Sequence, residues 1–139
     1  MNRKHVREQI VAATRPSLTS GEFISSCGPV WATECGGRVP LLFRGRSLHY
    51  VAVTDQRLIL FRAPGRRRAI RPRHMLMAKR HSTFTLDKTR RFGPMLQLLV
   101  RDAGGRHIAL EFRPRDRKLG LELASLLGWG RRQLPRGDM

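Results

Sequence analysis

Val6, Ile10 and Ala13 recur at i, i+4 and i+7, so the spacing predicts a short helix over residues 3–15 that Pro16 ends. Ser17-Leu18-Thr19-Ser20-Gly21 breaks that pattern, and from Glu22 the period changes to two. Phe23 to Ser26 is expected to form a first strand, with Phe23 and Ser25 on one face. Gly28-Pro29 is expected to interrupt it before Val30 to Thr33 resumes, and Gly36-Gly37 marks a loop. Ser47 to Val53 and Leu58 to Phe61 are rich in strand formers and joined by Thr54-Asp55-Gln56-Arg57, which predicts an antiparallel hairpin. Further strands are expected at His74 to Ala78, Thr83 to Asp87 and Met95 to Val100. After an Asp102-Ala103-Gly104-Gly105 turn comes Arg106 to Phe112. There Ile108, Leu110 and Phe112 share one face and His107, Ala109 and Glu111 the other, the pattern of a half-buried strand. Pro114 can open a final helix, Leu119, Leu123, Leu126 and Leu127 form one apolar stripe, and Gly128 can cap it. The stripe is expected to be core. Strands this short, followed by one amphipathic helix, predict a meander closed into a barrel or sandwich, because closure removes exposed edges.

Composition adds a charge. The chain has 139 residues with 28 Lys or Arg against 10 Asp or Glu, a formal net charge of +18. That length predicts one core with short tails. Such an excess favours anionic partners, either nucleic acid or acidic lipid. The split of 24 Arg to 4 Lys carries less weight, since a GC-rich genome produces it as readily as selection for phosphate recognition. The excess is regional: residues 38 to 80 hold 12 basic residues and one acid, Asp55, so 11 of the 18 net charges lie there. From Arg62 to Arg80 no Asp or Glu interrupts Arg62, Arg66, Arg67, Arg68, Arg71, Arg73, Lys79 and Arg80.

The order of elements resembles the bacterial pleckstrin-homology-like (PH/GRAM-like) domains. The resemblance lies in Gly21-Glu22-Phe23-Ile24 opening the first strand and in the hairpin Tyr50-Val51-Ala52-Val53-Thr54-Asp55-Gln56-Arg57-Leu58-Ile59-Leu60-Phe61. That hairpin is similar to the family's "apolar strand, Thr-Asp-x-Arg, apolar strand" pattern. The Gly104-Gly105 hairpin and the Leu-rich last helix match in order and spacing, and the likeness covers about residues 20 to 128. It implies a mainly β, seven-stranded antiparallel barrel or sandwich capped by a C-terminal α-helix, preceded here by a short N-terminal helix. The expected organisation is a helical extension at 1–19, the PH-like domain at 20–128 and a basic flexible tail at 129–139. The family is a set of non-enzymatic binding modules for acidic lipids, peptides or proteins. Its lipid-binding members carry a basic residue, a loop and Arg-x-Arg between the first two strands. Arg38, the loop Val39 to Phe43 and Arg44-Gly45-Arg46 are similar in layout, but with Arg at the first position and an apolar loop between.

The candidate anionic-ligand residues are therefore Arg38, Arg44, Arg46, Arg66, Arg67, Arg68, Arg71 and Arg73. The plainer reading of the basic stretch is a solvated loop. Leu41, Leu42 and Phe43 could insert into a lipid interface, but as the start of the next strand they would pack in the core. Nonspecific nucleic-acid binding is an alternative, although 6 Phe, 2 Trp and 1 Tyr leave few aromatics for base stacking. A scaffold subunit that binds a protein and has no lipid role is a second. Trp31 and Trp129 remain as candidate contact residues.

Nothing predicts catalysis. His5, His49, His74, His81 and His107 show no HExxH or HxH spacing, and no GxSxG, P-loop or GxGxxG occurs. Cys27 and Cys35 lack CxxC spacing and are expected as reduced thiols. No metal, cofactor or small-molecule substrate is expected. The expected location is cytoplasmic, with a peripheral place at the inner face of the plasma membrane if lipid is the partner.

Overall fold

The computed structural model describes residues 3–35, 47–65 and 68–132, with side chains for all of these except Cys35, Phe92 and 128–132. The element order is α1 (Arg3–Thr14), β1 (Ile24–Cys35), β2 (Ser47–Thr54), β3 (Arg57–Arg62), β4 (Met75–Arg80), β5 (Thr85–Phe92), β6 (Met95–Arg101), β7 (His107–Phe112) and α2 (Arg117–Arg132), with short 3₁₀ turns between. The strands follow the order β4-β3-β2-β1-β7-β6-β5, and the β1–β7, β2–β3, β3–β4, β5–β6 and β6–β7 pairings are antiparallel. The mainly β class with two flanking helices is thus present.

The chain forms two compact units, residues 1–30 with 48–80 and residues 31–47 with 81–139, and the division falls inside β1. β1 itself differs from expectation. Gly28-Pro29 does not interrupt it, and one strand runs from Ile24 to Cys35. Proline's fixed φ lies within the extended region, so its cost is a single missing donor rather than the strand.

In the first unit α1 lays Ile10 and Ala13 against Ala52, Ile59, Phe61 and Ile70, all buried. These come from the predicted helix stripe and from one face of the predicted hairpin. The hairpin register pairs Tyr50 with Phe61 and Ala52 with Ile59.

In the second unit α2 packs on β5, β6 and β7. Leu119, Leu123 and Leu127 are buried with Leu96, Leu98, Leu110 and Phe112, as the apolar stripe implies. The helix runs past Gly128 to Arg132 instead of ending there.

The outer face of β7 is not solvated as its alternation suggests. Ala109 and Glu111 are buried. Glu111 stands across from Gln97, which stands across from Arg90. Gln97 Nε2 donates to Glu111 (3.2 Å), and Arg90 Nε donates to Gln97 Oε1 (2.8 Å). Trp31 of β1 is in register with Glu111, and the Arg113 guanidinium lies 5.0 Å from the Trp31 ring. A polar ladder lies on this face, and the Glu111 carboxylate, the Gln97 amide and Arg90 Nε each gain a hydrogen bond that offsets desolvation.

Gly120 sits where no side chain fits. A Cβ there would come within 2.7 Å of the Phe112 ring and 2.8 Å of a Leu96 methyl. Gly120→Ala is expected to destabilise the protein by about 1–3 kcal/mol, although alanine is the better helix former. Denaturant unfolding of the variant measures this, and equal or greater stability would contradict the close packing.

Candidate functional site

The Thr54-Asp55-Gln56-Arg57 motif is a structural tie. Thr54 Oγ1 accepts from the backbone N–H of Gln56 (3.1 Å) and Arg57 (2.7 Å), which closes the β2–β3 turn. The same hydroxyl donates to Glu22 Oε2 at 2.6 Å. Arg57 grips Glu22 with two prongs, Nε to Oε2 (2.9 Å) and Nη2 to Oε1 (2.8 Å). Its Nη2 also donates to the Ser17 carbonyl (2.7 Å). Asp55 Oδ1 accepts from the Phe23 N–H at 3.0 Å, and the Asp55 N–H donates to the Phe23 carbonyl at 3.1 Å. The Glu22 carboxylate is fully covered and holds a backbone N–H and a hydroxyl from Thr19 as well. The Arg57 hydrogen bonds lead the effects that hold its pKa at about 2, below the ordinary 4.5 and against the cost of burial. This cluster binds the protein to itself and offers nothing to a ligand.

The basic cluster lies elsewhere in the same unit. Phe61 ends the buried run of β3, and Arg62 after it is exposed. Ile70 is buried, and its N–H donates to Gln9 Oε1 on α1 (3.0 Å), so the connection to β4 is pinned at this point. Arg71 precedes Pro72 and is therefore extended. Pro72–His74 makes one 3₁₀ turn, closed by the His74 N–H donating to the Arg71 carbonyl at 2.9 Å. The Arg71 N–H donates in return to His74 Nδ1 at 2.9 Å. An imidazole that accepts at Nδ1 is neutral and carries its proton on Nε2.

His74 is buried, 4% exposed, while Arg62, Arg68, Arg71 and Arg73 around it are exposed. Burial first, then the charges of Arg62, Arg73, Arg68 and Arg71, push its pKa below 6.5. Each of these four guanidiniums lies within electrostatic reach of His74, and none is paired with a carboxylate among the described residues. Exposed guanidiniums with no carboxylate partner have the chemistry to hold an anion with several oxygens, because the planar fork binds phosphate-type oxygens two at a time.

Of the candidate residues, Arg68, Arg71 and Arg73 are exposed and each lies within electrostatic reach of His74. Arg38, Arg44, Arg46, Arg66 and Arg67 lie outside the described residues, as do Leu41, Leu42 and Phe43. Two members were missed. In the sequence Arg62 belongs to the basic stretch but not to the candidate site, and His74 bears only on catalysis or metal binding. The signal for His74 is a histidine two positions after Pro72, in a stretch without Asp or Glu, just before the apolar Met75-Leu76-Met77. Phe23, expected to open the first strand, lies just before β1 and is 59% exposed. Cys27 is a free thiol, and burial pushes its pKa up. Among the described residues no group of His, Cys, Asp or Glu could hold a metal ion, and no helix is long and apolar enough to cross a membrane.

The sequence matches no protein-family model and no curated protein. In structure the chain is similar to the Slm1 PH domain. A crystal structure of that domain with phosphoserine superimposes with a TM-score of 0.50 at 14% identity, covering 76% of this chain and 96% of that one. A second, with inositol-4-phosphate, superimposes with a TM-score of 0.50 at 14% identity, covering 75% and 95%. At that identity the likeness speaks for the fold, which is PH-like.

Two acid-sensitive groups follow from this geometry. His74 is neutral in the fold, whereas the unfolded chain takes up a proton near 6.5, so stability is expected to fall as pH drops below that value. Glu22 is held ionised, so its contribution is complete above 4.5 and is lost as pH falls from 4.5 towards 2. Glu22→Gln is expected to remove about 3 kcal/mol at neutral pH and to flatten the lower window. Urea unfolding across pH measures both, and an unchanged lower window in the variant would contradict the Glu22–Arg57 assignment.

Proposed function

We propose that the protein is a non-catalytic PH-like module that binds a phosphorylated anionic headgroup at the surface of an acidic membrane. The observation that carries this reading is that the exposed Arg62, Arg68, Arg71 and Arg73 all lie within electrostatic reach of the buried, neutral His74, with no carboxylate paired to them among the described residues. Two further facts support it. The PH-like fold is shared with a domain whose structures contain phosphoserine and inositol-4-phosphate. Arg66 and Arg67 adjoin the cluster in sequence and add charge of the same sign.

The magnitudes suit reversible attachment. Each basic residue near an anionic bilayer contributes about 1 kcal/mol within a Debye length. Four contribute roughly 4 kcal/mol, near a millimolar constant, and a second anchoring contact is then needed for stable residence. His74 adds a reporter. A phosphate placed among the arginines offsets the charges that oppose protonation, so the histidine pKa rises when the site fills.

Flotation with phosphatidylserine-containing vesicles, beside phosphatidylcholine alone, tests the proposal. Binding is expected only to the acidic vesicles. It is expected to weaken at least tenfold in the triple variant Arg68→Glu, Arg71→Glu, Arg73→Glu and to fall with added salt. Titration of inositol-4-phosphate is expected to raise the His74 pKa, read from its ring proton shifts, and to leave His5 unmoved. A salt-dependent shift of DNA or RNA without flotation would sink the headgroup reading in favour of nucleic-acid binding. Flotation that survives the triple variant would place the site away from His74.

A further inference from the structure

A second feature of the first unit stands apart from the arginine cluster. Between α1 and the start of β1 lies an open groove of about 430 Å³, bounded by Arg7, Val11, Arg15, Leu18, Phe23 and Ile24. Val11, Leu18 and Ile24 are only half-buried, and Phe23 is 59% exposed at the rim. An exposed aromatic beside three half-exposed aliphatic residues is an apolar surface with no partner inside the described residues.

The charges at this groove are set by geometry. Arg7 and Val11 share one side of α1, four positions apart, and Arg15 opens the 3₁₀ turn directly after the helix. Eight residues at about the helical rise span roughly 12 Å, so Arg7 and Arg15 stand towards opposite ends of the groove. Both are exposed, and neither meets a carboxylate among the described residues. Glu22 is the one acid in the lining, and its oxygens are spent on Arg57, Thr54 and Thr19. The groove is therefore apolar in the middle and cationic at both ends.

An extended peptide matches this layout. Its residues i, i+2 and i+4 line one face, and four steps span roughly 13 Å. Acidic side chains at i and i+4 would reach the two guanidiniums, and an apolar side chain at i+2 would rest on Val11, Leu18 and Phe23. A fatty acid carries one anionic group and would leave the second arginine over its tail. A flat bilayer does not fill a concave site. We infer that this groove docks an extended partner-protein segment of the form acidic–x–apolar–x–acidic, at a place separate from the headgroup site.

The test is a titration of the full-length ¹⁵N-labelled protein with acetyl-Glu-Ser-Leu-Ser-Glu-amide, followed by amide chemical shifts. Shifts are expected in residues 7–18 and 23–27, saturating with a millimolar constant and weakening with salt. Arg7→Glu with Arg15→Glu is expected to weaken binding at least tenfold, while Arg7→Lys with Arg15→Lys retains most of it. The spectrum of each variant reports its own folding. Equal shifts with acetyl-Lys-Ser-Leu-Ser-Lys-amide would overturn the inference, as would shifts confined to residues 62–74 or no shifts at all. Shifts in the groove with decanoate and none with the acidic peptide would overturn the peptide assignment in favour of a small carboxylate. Neither result bears on vesicle flotation, so the two proposals fail separately.

Discussion

The two-pronged ion pair between Glu22 and Arg57 governs the first unit. It joins residues 35 positions apart, closes the hairpin turn through Thr54, and holds the segment from Ser17 to Phe23 against that turn through the Ser17 carbonyl. A covered carboxylate is costly to bury unless every oxygen is satisfied, and here two arginine nitrogens, a backbone N–H and two hydroxyls satisfy it. The start of β1 and the end of α1 are then set by one cluster. That cluster also consumes the acid that would otherwise neutralise Arg7 and Arg15.

The remaining positive charge is organised by backbone geometry more than by the number of arginines. Ile70 is anchored in the core, Pro72 forces one turn, and His74 folds beneath it. Arg68, Arg71 and Arg73 are thereby held on a short, pinned connection beside Arg62. Exposed guanidiniums with no acid near them raise the local potential, and the interior beneath them excludes a compensating charge. His74 is kept neutral first by its burial and then by those charges.

Much of the fold was legible in the chain. The runs read at 47–53, 58–61 and 95–100 fall within β2, β3 and β6 because alternating or continuous apolar positions have few ways to leave water. The Leu119, Leu123 and Leu127 stripe became the buried face of α2 for the same reason. The site was legible only as a charged stretch. Glu111 and Ala109 read as a solvent face, because alternation cannot tell water from a polar ladder supplied by neighbouring strands. Nothing in the sequence marks Gly120, because its need for close packing comes from Phe112 and Leu96 on β7 and β6.

The local pattern of apolar and polar residues thus determined the elements, their order and the regional excess of charge. Each depends on a few consecutive residues and on the solvent. Only the tertiary structure decided which charges meet. Glu22 finds Arg57 rather than Arg7 or Arg15, and His74 rather than a carboxylate sits beneath the arginines. Those outcomes depend on distances across strands and turns, and electrostatic interactions decay too steeply with distance for sequence spacing to reveal them.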